Sequence, residues 1–239
     1  MTGYGAYAAF YDATQGDRAA HSSYLRSLIA KHHPRAKTVL ELACGTGSVL
    51  AQLRPRYDVV GSDLSRAMLK IAAQKLPGVR LVEADMTKIR LGERFDVVLC
   101  VYDSINHLLR FAEWKAVFDR AREHLSDGGI FVFDINTERK LATFASVDRP
   151  LIQWFGDGNL ILVDVAPRGR GVVAWEIRVF EHRGDSRYRL HAEDIPEISF
   201  PAERVRAALK ERFSRVWTYD AQRSRPSPSS ERLHFVSAV

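Results

Sequence analysis

The sequence predicts an α/β fold, a mostly parallel seven-stranded sheet with helices on both faces, an N-terminal helical cap and a small antiparallel β insertion after the fifth strand. Three observations predict it. From Thr38 to Ile135, short continuously apolar, β-branched runs alternate with helical stretches, the pattern of βαβ units whose strands are buried on both sides. After Ile135 the rhythm changes to strand-like runs joined by tight turns, which marks an antiparallel sheet. The last forty residues return to one helix and two strands.

Tyr7 to Ala30 reads as one or two helices outside the sheet. Thr38–Ala43 is the first strand, followed by Cys44-Gly45-Thr46-Gly47 and a short helix to Leu53. Tyr57–Ser62 is the second strand and ends at Asp63. Ser65, whose hydroxyl can accept an orphan backbone N–H, starts a helix that Pro77-Gly78 stops after Leu76. Val79–Ala84 is the third strand, ending at Asp85; Phe95–Val101 is the fourth; Phe111–Leu125 is a helix. Gly129–Ile135 is the fifth strand, after an Asp127-Gly128-Gly129 turn. Leu160–Val165, Gly171–His182 and Ser186–Ala192 make the antiparallel insertion. Glu203–Arg212 is a helix with Val205, Ala208 and Leu209 on one face. Phe213–Tyr219 and Leu233–Val239 are the final strands, separated by a Pro/Ser-rich connection.

Composition narrows the function classes. Hydrophobic residues make up 46% and charged residues 27% of 239, ordinary for a globular protein. No apolar run approaches the roughly 18 residues of a membrane span. Met1 to Gly5 has neither the basic start nor the apolar stretch of a secretory signal, and two cysteines allow no disulfide framework or zinc ribbon. A cytoplasmic protein without a metal site is the expectation. The net charge of +6 is dispersed, +4 from Arg168 onward and +2 before it, which is a solvated arginine-rich surface rather than a nucleic-acid module.

In an open parallel sheet, ligands sit beyond the carboxyl ends of the strands, so the groups found there decide the chemistry. The first strand carries Glu41 and then the glycine turn entering a helix, where backbone N–H groups can approach a ligand closely. The second ends in Asp63, an acceptor for ribose hydroxyls, and the third in Asp85-Met86, an acceptor beside a polarizable side chain that suits an adenine. Asp85 could equally cap a turn. A dinucleotide-binding oxidoreductase would want a third glycine where Leu50 stands and would not need Glu41, which suits a cationic ligand head.

Glu41-Leu-Ala-Cys-Gly45-Thr-Gly47, Asp63, Ala84-Asp85-Met86 and Phe95–Cys100 resemble the ordered motifs of class I S-adenosylmethionine-dependent methyltransferases, which have a Rossmann-like fold. Tyr7–Asp12 and Asp103-Ser-Ile-Asn-His107-Leu108 are similar to the small-molecule N-methyltransferases of amino-sugar type. Ala43 stands where many members have glycine. The resemblance implies one domain: a helical cap over 1–37, a cofactor core over 38–135, an insertion covering the acceptor over 136–200, and a closing helix and hairpin over 201–239. It implies S-adenosylmethionine as cofactor, with Ala43, Cys44, Gly45, Thr46 and Gly47 against the methionine and ribose. Asp63 would hold the ribose, Leu64 and Met68 would flank the adenine, and Ala84, Asp85 and Met86 would meet its edge. Cys100 and Asp103 complete the cofactor set, with Glu41.

Methyl transfer to an amine needs a neutral nucleophile held in line, so a base helps. His107 is the candidate base, with a local structural role as the other reading. Tyr11 could lay its ring on the sulfonium and act in catalysis, or simply pack its helix. Arg18 could pair the methionine carboxylate or be a surface arginine. Trp154, Phe155, Trp175 and Tyr188 could line the acceptor pocket or form the insertion's core. Asp96, at the start of its strand, falls on the wrong edge of the sheet. The expected acceptor is a small molecule, and a second copy of the chain is a further candidate partner. A nicotinamide-dependent oxidoreductase and a cofactor-binding module acting on RNA or a protein are the alternatives.

Overall fold

The computed structural model describes residues 4–16, 18–223 and 225–239. Positions 1–3 of the N-terminal signal reading and position 224 of the Pro/Ser-rich connection lie outside them. In chain order the elements are α1 (Ala8–Thr14), α2 (Ala19–His32), β1 (Thr38–Leu42), α3 (Ser48–Leu53), β2 (Asp58–Asp63), α4 (Arg66–Lys75), β3 (Arg80–Glu83) and β4 (Phe95–Cys100). A 3-10 turn (Ser104–His107) precedes α5 (Phe111–Glu123), β5 (Leu125–Asn136), α6 (Glu138–Ala145), β6 (Leu151–Phe155) and β7 (Asn159–Gly169). The chain continues through β8 (Val172–His182), β9 (Tyr188–Ile198), α7 (Ala202–Lys210), β10 (Arg215–Tyr219) and β11 (Arg232–Ala238).

Two sheets result. The larger has seven strands in the order β10-β11-β5-β4-β1-β2-β3, parallel except at β11, which runs antiparallel to both its neighbours. The smaller is the antiparallel meander β6-β7-β8-β9. The mostly parallel sheet and antiparallel insertion therefore stand as the sequence predicts. Strand order reverses between β1 and β4, which opens a crevice beyond their carboxyl ends.

Period-two alternation sorts the strand side chains into two layers. Leu40, Leu42, Val98, Cys100, Phe131, Phe133 and Phe235 face α5 and α7, joining Trp114, Phe118 and Leu209. Val39, Val97, Leu99, Val132 and Val236 face α2 and α3, joining Leu25, Ile29, Val49 and Leu53. Each such side chain, fully buried, contributes about 1.5–3 kcal/mol of transfer free energy. Gly61 on β2 has a packing reason: a Cβ there would lie 2.7 Å from Leu50 and 2.9 Å from both Cys44 and Leu81. Leu50, where a dinucleotide fold would have glycine, thus seats on a glycine of the neighbouring strand.

Three expectations need correction. β5 begins at Leu125, because Leu125 already pairs with Phe95 and a bulge carries the Asp127-Gly128-Gly129 segment to Ile130 opposite Val97. The helix α6 and the strand β6 were not expected. β9 runs to Ile198, six residues past the predicted end at Ala192.

Candidate functional site

The turn after β1 is built from left-handed backbone: Ala43, Gly45 and Gly47 have φ of 53°, 54° and 74°. A Cβ on Gly47 would meet Leu76 at 2.6 Å, whereas one on Gly45 would meet none of the described residues within 4 Å. Gly45 therefore borders open space, and Gly47 seats the turn on α4. Asp63, at the end of β2, ties the turn down: its Oδ2 accepts the Gly45 N–H at 2.8 Å and its Oδ1 the Ser65 N–H at 2.7 Å. Burial raises its pKa and those two N–H groups oppose the rise. Ser65 caps α4 through Met68 N–H, as predicted.

Glu41 lies under the turn, buried, and its Oε2 has no hydrogen-bond partner among the described residues. Burial pushes its carboxyl well above the usual range, with Arg18 opposing. Arg18 is not a surface arginine: its guanidinium lies over the rings of Tyr102 and Tyr11 at 4.3 and 4.9 Å, with one buried terminal nitrogen that has no hydrogen-bond partner among the described residues. A buried acid and a half-buried arginine, each with a polar atom unpartnered among the described residues, thus lie close enough to act on one another. α1 closes over the turn through Asp12, whose Oδ1 accepts Thr46 Oγ1 at 2.7 Å and Ser48 Oγ at 3.1 Å. Lys75 Nζ donates to Asp12 Oδ2 and to Ser48 Oγ.

Along the rim, Leu64 is 52% exposed while Met68 is buried beneath it. Ala84 N–H donates to Asp63 O, which holds the end of β3 beside β2. Asp85 caps the turn that follows, accepting Thr87 N–H and Oγ1 at 2.8 and 2.7 Å, so the capping reading is realised in this structure. Met86 packs under the rim, its sulfur 3.9 Å from Cys100 Sγ. Cys100 is fully buried in the layer facing α5, and Cys44 belongs to the opposite layer, so the two free thiols are not disposed to pair.

Tyr102 and Asp103, both at positive φ, turn the chain after β4 into the 3-10 turn that presents His107. His107 Nε2 lies 3.2 Å from Tyr4 Oη, and its Nδ1 lies 3.4 Å from the Pro196 carbonyl. Burial lowers its pKa, opposed by Asp103, the Pro196 carbonyl and Asp63. Glu197 on β9 stands behind it, Oε1 at 3.8 Å, and accepts Asn136 Nδ2. Burial and the neighbouring Asp103 raise the Glu197 pKa well above the usual range. Glu193, also on β9, holds the N-terminal segment over this group by accepting the N–H groups of Tyr4, Ala6 and Tyr7. The insertion thus contributes acids to this group; of the aromatics weighed for the pocket or the insertion's core, Phe155 and Trp175 pack on the core, with Phe155 on Phe10 and Trp175 on Phe144, while Trp154 and Tyr188 are 63% and 44% exposed. Asp96 binds Lys37 and Thr38 N–H at the opposite sheet edge, as predicted.

Sequence reasoning missed Asp12, Lys75, Tyr4, Glu193 and Glu197. Asp12 carried a signal, as the last residue of the Tyr7–Asp12 stretch; the acids of β9 had none, because nothing local distinguishes them from other strand acids.

Comparison with known proteins agrees with this geometry. A family profile described as a methyltransferase domain matches residues 39–129. The chain is 34% identical over 129 residues to the dTDP-3-amino-3,4,6-trideoxy-alpha-D-glucopyranose N,N-dimethyltransferase of Streptomyces venezuelae, and that match spans only about half, 54%, of either chain. It is 30% identical over 216 residues, 84% of each chain, to the Bacillus subtilis (strain 168) protein named "Putative methyltransferase YqeM". Among solved structures it is similar to the sugar N-methyltransferase KedS8 from Streptoalloteichus sp ATCC 53650, with TM-score 0.80, 27% identity and coverage of 97% of this chain and 92% of that one.

Proposed function

The chain belongs to the class I S-adenosylmethionine-dependent methyltransferases, and on that premise we propose that it moves a methyl group onto the nitrogen of a small-molecule amine, leaving S-adenosylhomocysteine. The acceptor class is supported by the amino-sugar and sugar N-methyltransferases to which the chain is similar.

The observation that carries the cofactor half is the buried, unpartnered Glu41 oxygen beside the open space at Gly45. An isolated buried carboxylate is costly, and a ligand ammonium would supply the missing charge-assisted hydrogen bond. The residues present fit S-adenosylmethionine: Glu41 and Arg18 for the amino and carboxylate ends, Ala43 to Gly47 along the methionine and ribose, and Asp63 for the ribose hydroxyls. Leu64, Met68, Ala84, Asp85 and Met86 would surround the adenine, with Tyr11, Cys100 and Asp103 bordering the rest. When bound, the cofactor supplies a sulfonium-activated methyl group that an amine can displace in line.

The chain's own residues then do three things. α1 and the N-terminal segment exclude water by closing on Thr46 through Asp12 and on β9 through Glu193. Arg18, stacked on Tyr11 and Tyr102, fixes the cover above the reacting centre. His107, kept neutral by burial, takes the amine proton: with its own proton on Nδ1 toward Pro196, its Nε2 lone pair faces Tyr4 Oη.

Incubation with S-adenosylmethionine and an amino-sugar nucleotide, read by mass spectrometry, tests the transfer; the expected product is one methyl heavier. S-adenosylhomocysteine should raise the Tm and NAD should not. No shift at millimolar S-adenosylhomocysteine, or a shift with NAD alone, overturns the cofactor reading.

Among the described residues no helix is long and apolar enough to cross a membrane. A cytoplasmic location belongs to this proposal, supported by two unpaired cysteines. So does a homodimer: β6 is a free sheet edge carrying exposed Leu151, Ile152 and Trp154, a surface suited to a second copy. Sedimentation of Trp154→Lys should give a smaller species than the parent; an unchanged mass removes this interface.

A further inference from the structure

We propose that His21, Asp134 and His234 bind a divalent transition-metal ion of the zinc, cobalt or nickel class, at a site that adjoins the cofactor residues through Asp103 and Tyr102 but uses none of them as ligands. His21 comes from α2, and His234 on β11 pairs directly across from Asp134 on β5. The two Nε2 atoms are 3.2 Å apart and stand 3.7 and 3.8 Å from Asp134 Oδ2. The point equidistant from the three atoms lies about 2.1 Å from each, the bond length of zinc to imidazole nitrogen and carboxylate oxygen. Two imidazoles with one carboxylate favour a first-row transition ion over magnesium or calcium, which want oxygen donors throughout.

The surroundings support the donor set. A cavity of about 280 Å³, lined by Ala20, His21, Tyr24, Ala221, Arg232 and His234, gives access and room for a water as fourth ligand. Asp134 is fully buried; its Oδ1 accepts the Asp103 N–H at 2.8 Å, which fixes the carboxylate plane. Arg232 donates to Asp134 Oδ2 at 2.5 Å and also pairs with Asp103, so these three groups together carry a net negative charge before any ion binds. Tyr102 packs on the His21 ring at 4.4 Å and Tyr24 on the His234 ring at 4.9 Å. Among the described residues His234 Nδ1 has no hydrogen-bond partner, so packing rather than an outer-sphere acceptor holds that ring. Because His21 sits on the first turn of α2, just after Arg18, an ion here would pin that helix start to the sheet.

Titration of the full chain with cobalt(II), read by visible absorption, tests the site. One equivalent should bind saturably with a dissociation constant below about 10 µM, zinc should displace it, and zinc should raise the Tm. His21→Ala should abolish the absorption and the Tm rise, while His182→Ala, an exposed histidine elsewhere, should change neither. Should His21→Ala fail to fold by circular dichroism, His21→Phe keeps the ring packing and removes the ligand. Absence of saturable binding to the folded parent, or unchanged binding in the His21 variant, overturns the proposal.

Discussion

Glu41 sets the balance between stability and ligand affinity. Its carboxyl is raised by burial, with Arg18 opposing; a group whose folded value is raised gives its stability at acid pH and loses it as pH climbs through that value. The unliganded chain therefore loses stability as pH climbs from the ordinary carboxylate range toward the raised folded value. Glu41→Gln should make it about 1 kcal/mol more stable near neutrality, with a flatter pH profile in urea unfolding, and weaken S-adenosylhomocysteine binding at least ~10-fold. Lower stability than the parent would contradict this. Ala43, in left-handed backbone at φ 53°, carries strain that glycine lacks. Ala43→Gly relieves about 1–2 kcal/mol of that strain against about 0.5–1 of added unfolded-state freedom, so the urea midpoint should hold or rise; a clear fall would refute it. For His107, burial lowers the pKa, opposed by Asp103, the Pro196 carbonyl and Asp63. The imidazole then stays unprotonated to lower pH than a free one, and the acid limb of kcat should lie below that of a free imidazole. His107→Ala should cut kcat by roughly 10²–10⁴ with S-adenosylhomocysteine affinity nearly intact; unchanged turnover removes it from the chemistry.

Among the elements, α1 is held to the glycine turn by side chains rather than by a deep apolar face: Asp12 takes Thr46, Ser48 and Lys75, and only Ala8 of the helix is buried. Asp12→Ala should speed amide exchange across 8–14 and weaken S-adenosylhomocysteine several-fold, while exchange in β1 and β4 stays unchanged. Slowed or equal exchange in α1 would sink this account. The strands β1 and β4 were legible because continuous burial from Val39 to Leu42 and from Val97 to Cys100 leaves apolar runs interrupted only by Glu41. β6 was not, since Leu151 to Trp154 are all exposed and impose no alternation. α6 spans eight residues after a Thr137 cap, too short for its period to stand out. The start of β5 was hidden because Asp127-Gly128-Gly129 reads as a turn, yet the segment bulges within the strand; a Cβ on Gly129 would meet Ser126 O at 2.9 Å.

Over the whole molecule, the glycine turn, Asp63 and Asp85 were legible because each sits at a strand end that local pattern marks. His21, Asp134 and His234, or Tyr4, Glu193 and His107, come together only through the fold, and no spacing along the chain announces them. Packing between neighbouring units is similarly nonlocal at Leu50 and Gly61. Gly61→Ala should cost about 1–3 kcal/mol by overpacking, and Leu50→Ala should cost about 2–5 kcal/mol. The double variant should lose at least ~0.5 kcal/mol less than the two added together; strict additivity in urea unfolding would show that the two do not share space. The segment that brings Asp12 to the glycine turn also carries Tyr4 onto His107. On the proposed function, turnover is then expected to follow one order, donor before acceptor and methylated amine out before spent donor. S-adenosylhomocysteine should then compete with S-adenosylmethionine but not with the amine, and a random-order inhibition pattern would show the two halves to be independent.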